Sequence, residues 1–428
     1  METLTENPPV VAWIGLDWAD QRHEVRLQAV GSENSKACTV EQKPEALHAW
    51  VAQLRARFPQ GVIALALEQS RGAVISALMN YDFLWLYPVP PKGLARYRQA
   101  FFTSGAKSDV TDADLLLEMV RSHRDRLRVW QPDDELTRQL RLLVEHRRET
   151  VADRTRLTNR LGALLKTYFP QALEWAGELR EAAACEFLGT WPSLEAWQAA
   201  GRATQRKFFR RHRRMTAEAL EKLLDAIAQA QPLTRDRALL QASVLMTQTL
   251  VEQLRALHAA LARLDAALAK LFAQHPDQEL FRSLPGAGEA LAPRLAAALG
   301  TNRQHYQSAE EVQQFSGIAP VTEASGKQHW VHWRLACPKF LRQTFHEFAD
   351  ASRKRSRWAQ AYYQQRRQQG ATHHSAIRAL AYKWIRILYR CWQTRTPYQE
   401  EIYLAALQRR HSPLWLATAS LSIQENKA

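Results

Sequence analysis

Residues 11–16 (VAWIGL) are a short apolar run that ends at Asp17, and this stretch decides how the first part of the chain folds. A run of this length between polar residues is typical of a buried β-strand. Residues 62–67 (VIALAL) repeat the pattern and end at Glu68, and residues 83–89 (FLWLYPV) form a third run. The sequence therefore predicts buried strands, two of which end at an acidic residue.

Helical and half-buried strand signals lie around these runs. Residues 44–58 begin with proline, which suits the first turn of a helix, and residues 23–30 alternate in polarity like a half-buried strand. Strands that alternate with helices indicate helices packed on a sheet. We therefore predict an α/β domain over residues 10–130.

The middle of the chain, residues 131–275, is predicted to be a long helical region because few residues in it break a helix. Its later leucines repeat at alternating intervals of four and three residues, which is typical of a coiled coil or a helical hairpin. These leucines are Leu250, Leu254, Leu257, Leu261, Leu264, Leu268 and Leu271. The pattern leaves open whether this seam contacts an earlier helix of the same chain or a second subunit.

The last part of the chain is predicted to be a mostly helical domain over residues 276–400, followed by a polar tail over residues 401–428. The domain opens with residues 285–288 (PGAG), which resemble the turn of a helix-hairpin-helix element. In such an element the backbone N–H groups, here those of Gly286 and Gly288, contact a DNA phosphate. A plain turn between two helices explains the same residues equally well.

The chain is strongly basic, with 58 basic and 43 acidic residues and a net charge of +15. Such an excess indicates a polyanionic partner, nucleic acid before an anionic membrane. Arginines and aromatic residues interleave in residues 206–214 and again in residues 330–358, which suits binding to phosphates and unpaired bases. A solvated basic face over buried aromatic residues is the alternative. The candidate nucleic-acid contacts are Arg210, Arg211, Arg213, Arg214 and Arg334.

Cysteine usage and hydropathy exclude other classes of protein. The four cysteines are scattered without a C-x-x-C pair, which argues against a disulfide framework and a cysteine-based zinc site. No apolar run approaches the ~18 residues of a membrane span, and the first residues do not resemble a signal peptide. We expect a cytoplasmic, nucleoid-associated protein without a membrane partner.

Four acidic residues are candidates for a metal site. Asp17 and Glu68 end predicted strands, where the sites of α/β sheets gather, and Asp109 and Asp112 share one face of a predicted helix. Converging carboxylates need cations, and oxygen ligands suit Mg²⁺ or Mn²⁺. Two such ions ~4 Å apart would support phosphodiester chemistry. For each acid taken singly, a solvated surface position is the alternative.

The order of these motifs resembles a known family. An aspartate and a glutamate at strand ends precede K-x-D-x-x-D-A at residues 107–113, and PGAG and residues 317–327 (GIAPVTEASGK) follow. This combination is similar to the DEDD transposases of the insertion-sequence one-ten family, whose better-known members are guided by a bridge RNA. The resemblance spans about residues 11–400. It implies a RuvC-like, RNase H-like N-terminal domain, a coiled coil and a C-terminal transposase domain.

The resemblance also implies roles for individual residues. Asp17, Glu68, Asp109 and Asp112 would bind the metal ions, and Ser325 would be the nucleophile, with Lys327 beside it to neutralise a phosphate. Many relatives read S-S-G-G where this chain reads ASGK at residues 324–327. Ser316 is the competing serine. The acids of one subunit would act with the serine of another in a dimer or tetramer, and an RNA from the element would select the DNA.

These observations predict a transposase or site-specific recombinase that cuts and rejoins DNA. One alternative is a metal-dependent endonuclease selective for four-way junctions, in which Ser325 is structural. The other is a non-catalytic scaffold that binds nucleic acid. A covalent protein–DNA adduct separates the first two, and unchanged activity after loss of the acids would indicate the third.

Overall fold

The structure is a computed structural model that describes residues 8–68, 72–101 and 108–418. The chain divides into two compact units, Met1–Pro132 and Asp133–Ala428. The first unit combines a sheet with helices, and the second is almost entirely helical, so the prediction of an α/β part followed by a helical part is confirmed.

The first unit contains a five-stranded sheet in the order β3-β2-β1-β4-β5. Strands β1, β4 and β5 are parallel, whereas β2 runs antiparallel to both β1 and β3. The strands are β1 (Val10–Asp17), β2 (Arg22–Ala29), β3 (Lys36–Glu41), β4 (Val62–Leu67) and β5 (Leu84–Pro88). The helices are α1 (Pro44–Arg57), α2 (Ala73–Leu78), α3 (Pro91–Phe101) and α4 (Asp109–Ser122).

Strand β4 is buried on both faces, which explains its continuous apolar sequence. Ile63, Leu65 and Leu67 join a core that includes residues of α1 and α2, whereas Ala64 and Ala66 join a core that includes residues of α3 and α4. Edge strand β3 was not predicted. Its side chains are exposed at every position except Val40, so it lacks the apolar pattern of the other strands.

Helix α4 packs directly against β1 because Gly15 has no side chain. A Cβ atom on Gly15 would overlap with the backbone of Ala113 and Leu117. The helix begins at Ser108, whose hydroxyl accepts a hydrogen bond from the Thr111 N–H at 3.2 Å. This close approach sets the position of the first turns of α4 relative to the end of β1.

The second unit is organised around two long helices, α5 (Glu135–Tyr168) and α11 (Arg237–Phe272), which pack on each other. Arg147 of α5 and Asp265 of α11 form an ion pair between them. Along the chain, the shorter helices between α5 and α11 are α6 (Ala172–Trp175), α7 (Ala182–Thr190), α8 (Leu194–Ala199), α9 (Gly201–His212) and α10 (Ala217–Gln229). Within this chain, the helix that carries the leucine seam packs on α5, which is the first of the two possibilities left open by the sequence.

The seam leucines differ in their burial. Leu250, Leu254, Leu261 and Leu268 are buried, and the remaining three are half-buried. Residues of α6 to α10 form one core with the near parts of the two long helices, and the opposite ends of those helices join a second core. The long helices thus connect both cores of the unit.

The second core is built from the C-terminal helices. These are α12 (Gln278–Arg282), α13 (Gly288–Leu299), α14 (Ala309–Phe315), α15 (Lys339–Ser352), α16 (Arg357–Gln368), α17 (His373–Thr394) and α18 (Glu400–Arg409). A two-stranded hairpin, β6 (Val321–Ser325) and β7 (Gln328–His332), lies between α14 and α15. Among the described residues, the structure contains no helix with the length and apolar character needed to cross a membrane.

The prediction of a polar tail from residue 401 needs correction. Helix α18 packs Tyr403, Leu404 and Leu407 against the second core, and Leu414 beyond it is buried. Apolar residues at helical spacing hold this segment in the unit. Residues 419–428 of the predicted tail lie outside the described residues.

Candidate functional site

Three of the four predicted acids lie together in the first unit. Asp17 ends β1, Glu68 follows β4, and Asp112 lies in the first turn of α4. Each offers a carboxylate oxygen, and these oxygens all lie within 4.8 Å of one another. Because β1 and β4 are parallel neighbours, their carboxyl ends meet at one edge of the sheet, and Gly15 brings α4 to the same edge.

The cluster is largely shielded from water. Asp17 is 5% exposed, Asp112 is 0% exposed, and Glu68 is half-buried. Buried carboxylates are costly unless a positive charge or hydrogen-bond donors compensate them. Their position inside the fold is therefore compatible with a site that could hold a cation.

Arg98 of α3 supplies part of that compensation. Its Nε atom donates to Asp112 Oδ1 at 2.7 Å, and its Nη2 atom donates to the same oxygen. The Arg98 side chain is 14% exposed, so this is a buried ion pair. No motif in the sequence marks this arginine, and the sequence analysis missed it.

The second oxygen of Asp112 fits a metal ligand. Asp112 Oδ2 is buried and has no hydrogen-bond partner among the described residues. The all-oxygen donor set of the three carboxylates suits Mg²⁺ or Mn²⁺, so these residues fit a divalent cation.

Asp109 occupies a different environment. It is exposed in the first turn of α4, three residues before Asp112, and it is not part of the group of three. Asp114 points to another side of the helix, as its spacing predicts, and accepts a hydrogen bond from Arg26 Nε at 2.7 Å. Lys107 of the predicted motif lies outside the described residues.

A buried histidine supports the chain just after Asp17. The backbone N–H of Ala19 donates to His23 Nδ1 at 3.3 Å, so the proton of the neutral ring lies on Nε2, which donates to Gln42 Oε1 at 2.6 Å. His23 is buried, and burial lowers its pKa below the usual value, while the Gln42 hydrogen bond opposes that shift. The ring is therefore neutral near pH 7 and connects the turn after β1 to the end of β3.

Ser325 lies in the second unit, at the last position of β6. Its hairpin partner is Gln328, and Gly326 and Lys327 form the turn between the strands. Ser325 and Lys327 are both exposed, and Gly326 has a φ of 58°, a conformation that favours glycine. The serine therefore lies at the tip of an exposed hairpin.

The competing serine is not accessible. Ser316 is 0% exposed, and its hydroxyl donates to the Gln313 carbonyl at 3.2 Å. A hydroxyl in this position has no room for a phosphate, which favours Ser325 over Ser316.

The predicted hairpin glycines have distinct surroundings. Gly286 and Gly288 lie between α12 and α13 with φ values of 79° and 54°. A Cβ atom on Gly286 would lie 2.7 Å from the backbone of Ala351, whereas nothing lies within 4 Å of a Cβ atom on Gly288. Packing against α15 alone therefore explains the glycine at 286, while Gly288 borders open space.

The basic residues in the last turn of α9 and just after it divide into paired and unpaired groups. Arg211 pairs with Glu186 at 3.2 Å, and Arg213 donates to the Glu174 carbonyl. Arg210 and Arg214 are exposed, and no ion pair to either occurs within the described ranges.

The aromatic residues of this region are part of a core. Phe208 and Phe209 are buried against Trp197, so they are not available for stacking on bases. The interleaved pattern misled the prediction for residues 206–214, because the helix places its phenylalanines inward.

The second basic and aromatic region keeps its aromatic residues at the surface. Trp330 is 49% exposed and Trp333 is 52% exposed. Arg334 follows them and is half-buried. This region retains the combination of cations and accessible rings that suits nucleic acid.

Comparison with known families gives two matches along the chain. Residues 14–170 match a family described as Transposase, named for the DEDD transposases of IS110. Residues 278–364 match the family described as Transposase IS116/IS110/IS902. The first match contains all four predicted acids, and the second contains Ser325.

Similar proteins cover most of the chain. A Streptomyces coelicolor protein named as a mini-circle transposase for IS117 is 28% identical over 419 residues, which are 96% of this chain and 99% of that protein. The 42 kDa protein of insertion element IS900 from Mycobacterium paratuberculosis is 24% identical over 401 residues, 92% of this chain and 98% of its own length. With both family matches in the expected order, this chain belongs to the IS116/IS110/IS902 family of transposases.

Proposed function

We propose that this transposase cuts and rejoins DNA strands at a metal site formed by Asp17, Glu68 and Asp112. The single observation that carries the proposal is the group of three carboxylates within 4.8 Å, two of them buried. The unpartnered Asp112 Oδ2 atom supports it. The sheet order, with β1, β4 and β5 parallel, supports an RNase H-like domain of the RuvC type around this site.

The acids would hold Mg²⁺ or Mn²⁺. Bound there, the ions would polarise a phosphate and stabilise the attacking and leaving oxygens of a strand exchange. Arg98 keeps Oδ1 of Asp112 occupied, which leaves Oδ2 for a cation. Asp109, one helical turn earlier on the same helix, is the proposed fourth acid.

Ser325 is the proposed nucleophile. Its Oγ atom would attack a phosphate of one strand and form a phosphate ester with it. The bond from that phosphate to the neighbouring strand oxygen would break, and this oxygen would leave with the proton. The hydroxyl end of a second strand would later attack the ester and release Ser325. A serine hydroxyl is a weak nucleophile near pH 7 and needs a polarised phosphate. Exposure at the hairpin tip gives DNA access to it, and Lys327 in the same turn would neutralise the phosphate.

The partners proposed for this reaction are the DNA of the element ends and target, and a guide RNA from the element. The proposed contacts are exposed Arg210, Arg214 and Lys327, half-buried Arg334, and the backbone at Gly288. Arg211, Arg213 and Gly286 were also predicted, but their structural interactions compete with this role. A dimer or tetramer, with the seam between α5 and α11 acting as a coiled coil, is the proposed assembly.

The experiment is incubation of the chain with labelled element-junction DNA, Mg²⁺ and co-purified RNA, followed by denaturing electrophoresis. We expect a labelled strand linked to protein. Ser325→Ala should abolish the adduct and the joined product while leaving DNA binding intact. Ser412→Ala, elsewhere in the same unit, is the matched control and should form the adduct. Joined product at the normal level from Ser325→Ala would contradict the serine role.

A metal-dependent endonuclease without serine chemistry is the second candidate. One observation favours it: the acid cluster is formed within the first unit alone, without any residue of the second. That candidate predicts cleavage of four-way junctions with no protein-linked strand. Full activity in the Asp17→Ala and Asp109→Ala variants would instead indicate a non-catalytic scaffold.

A further inference from the structure

Two helices of the second unit place basic side chains against each other. Arg342 and His346 are four residues apart on α15, and His374 and Arg378 are four residues apart on α17, so each pair lies on one helix face. The rings of His346 and His374 are 5.7 Å apart between centroids, so the two helices bring their histidines together. We call these four residues the basic ladder.

The arginines of the basic ladder are also close to each other. Burial, and then the positive charge of Arg342, lower the pKa of Arg378 to about 10. Like charges disfavour each other at short range, so this arrangement is unfavourable without a nearby anion. Arg378 Nη2 is a buried atom with no hydrogen-bond partner among the described residues.

The acids near the basic ladder are engaged elsewhere. Asp350 accepts from Arg353 Nε at 2.6 Å. Glu347 pairs with Arg294 and accepts from Gln343 Nε2 at 2.6 Å. Within the described ranges no carboxylate forms an ion pair with Arg342 or Arg378. The positive charge of the basic ladder is therefore available to a ligand.

The basic ladder lies at the base of the hairpin that bears Ser325. The Arg378 guanidinium lies over the ring of Trp333, and Trp333 directly follows β7. A guanidinium presents several N–H donors in a plane, which matches the oxygens of a phosphate group. Two arginines with two histidines beside them would supply donors from both helices.

We propose that the basic ladder is a binding site for a backbone phosphate of nucleic acid. The proposal rests on the proposed function, because it names where the second unit holds its substrate near Ser325. It adds Arg342, His346, His374 and Arg378 to the contacts, none of which is among the residues implied by the family resemblance.

The test is binding of the full chain to a 40-base-pair DNA duplex and, separately, to a 40-nucleotide RNA, at a series of KCl concentrations. We expect the Arg342→Gln, Arg378→Gln double variant to bind about tenfold or more weakly at fixed salt. The slope of log affinity against log salt should fall by about 0.9 per lost duplex contact, or about 0.7 per lost single-strand contact. Loss with one probe alone assigns the phosphate to that nucleic acid.

Arg202→Gln is the matched control. Arg202 already pairs with Asp225 at 2.6 Å and with Glu221 at 2.8 Å, so its loss removes one positive charge, half of what the double variant removes, from a compensated position. Thermal unfolding should show that the double variant is folded, since the two substitutions relieve a repulsion between positive charges. Inorganic phosphate should raise the Tm of the unaltered chain more than that of the double variant. Equal affinity and slope in the double variant and Arg202→Gln would overturn the proposal.

The outcome also separates this inference from the proposed function. Asp17→Asn loses one charge of the acid cluster, leaves the Arg98–Asp112 pair intact and keeps the basic ladder, so it should bind both probes normally and fail only in strand exchange. If the unaltered chain binds neither probe, the proposed function itself fails. If it binds both and the double variant matches the control, only the basic ladder fails.

Discussion

The acid cluster and the serine hairpin are built in opposite ways. The acids lie where the carboxyl ends of β1 and β4 meet the first turn of α4. Gly15 lets α4 approach the sheet, and Arg98 holds Asp112 in place. The hairpin has two strands, and its side chains are exposed at every position but Val321, which is half-buried. A site that binds cations needs ligands held rigidly by their surroundings, whereas an isolated two-stranded hairpin has little core of its own. We conclude that packing against the sheet holds the acids in place, whereas the serine is held mainly by the strand pairing of its own hairpin.

The largest effect that tests this comparison is on strand cleavage. Asp17→Asn should lower the cleavage rate by about 10²–10³-fold, because it removes a negatively charged ligand of the cation that would stabilise the transition state. The measurement is the rate of cleavage of element-junction DNA at saturating Mg²⁺. Asp114→Asn, an exposed acid of α4 paired with Arg26, is the control and should cleave normally. A normal rate in Asp17→Asn would show that the cluster has no catalytic role.

The next effect concerns Arg98. Arg98→Gln leaves Asp112 buried without its partner, which typically costs about 3–5 kcal/mol of stability. Hydrogen exchange of the β1 and β4 amides would measure this loss in the first unit, and added Mn²⁺ should restore part of it by binding the folded site. Arg96→Gln, exposed on the same helix, should change stability by less than about 0.5 kcal/mol. A loss that Mn²⁺ does not reduce would contradict a cation site at Asp112.

Alanine at two glycines compares the regions directly. Gly15→Ala should destabilise the first unit by about 3 kcal/mol, because the new methyl group overlaps with the backbone of α4 and must push it away. Gly326→Ala should cost only about 1–2 kcal/mol from its positive φ, since nothing lies within 4 Å of the new atom. Hydrogen exchange of the β1 amides measures the loss of stability in Gly15→Ala, and exchange of the β6 amides measures the loss in Gly326→Ala. The reverse order would refute the view that the acid site is the more tightly packed region.

The smallest effect is on the pH dependence of stability. Burial holds the pKa of His23 below its unfolded value near 6.5, so the unfolded chain takes up a proton more readily. The contribution of His23 to the stability of the first unit should be constant above about pH 7. It should fall as the pH drops below about 6.5 and should level off below the pKa of the folded state. His23→Gln should remove this part of the pH dependence, measured by hydrogen exchange of β1 at several pH values. His329→Gln, in the exposed hairpin, should leave it unchanged.

The parts of the fold that follow an apolar pattern were predictable from the sequence. The runs at β1, β4 and β5 identified buried strands, because strands covered on both faces have continuous apolar sequence. Edge strand β3 was missed because only Val40 of its side chains is buried. The leucine pattern identified the packing face of α11, but the identity of its partner helix needed the structure, since any apolar helix face satisfies the pattern.

The residues of the candidate site were likewise only partly predictable from the sequence. Asp17 and Glu68 could be predicted from parallel strands, whose carboxyl ends meet at one edge. Asp109 and Asp112 share a helix face, yet only Asp112 reaches the cluster, because α4 directs its buried side to the sheet. Arg98 depends on a contact between distant segments, for which periodicity and spacing carry no signal. For the basic ladder, the basic and aromatic pattern of residues 330–358 indicated one helix, but its pairing with His374 and Arg378 of α17 needed the structure.

The central claim is that Asp17, Glu68 and Asp112 form a metal site. Titration of the full chain with Mn²⁺, with binding measured by electron paramagnetic resonance, tests this claim most directly. The account predicts saturable binding that is lost in Asp112→Asn and retained in Asp114→Asn, since only the former removes a ligand of the buried cluster. Equal Mn²⁺ binding by the two variants would contradict the assignment of Asp17, Glu68 and Asp112 as a metal site.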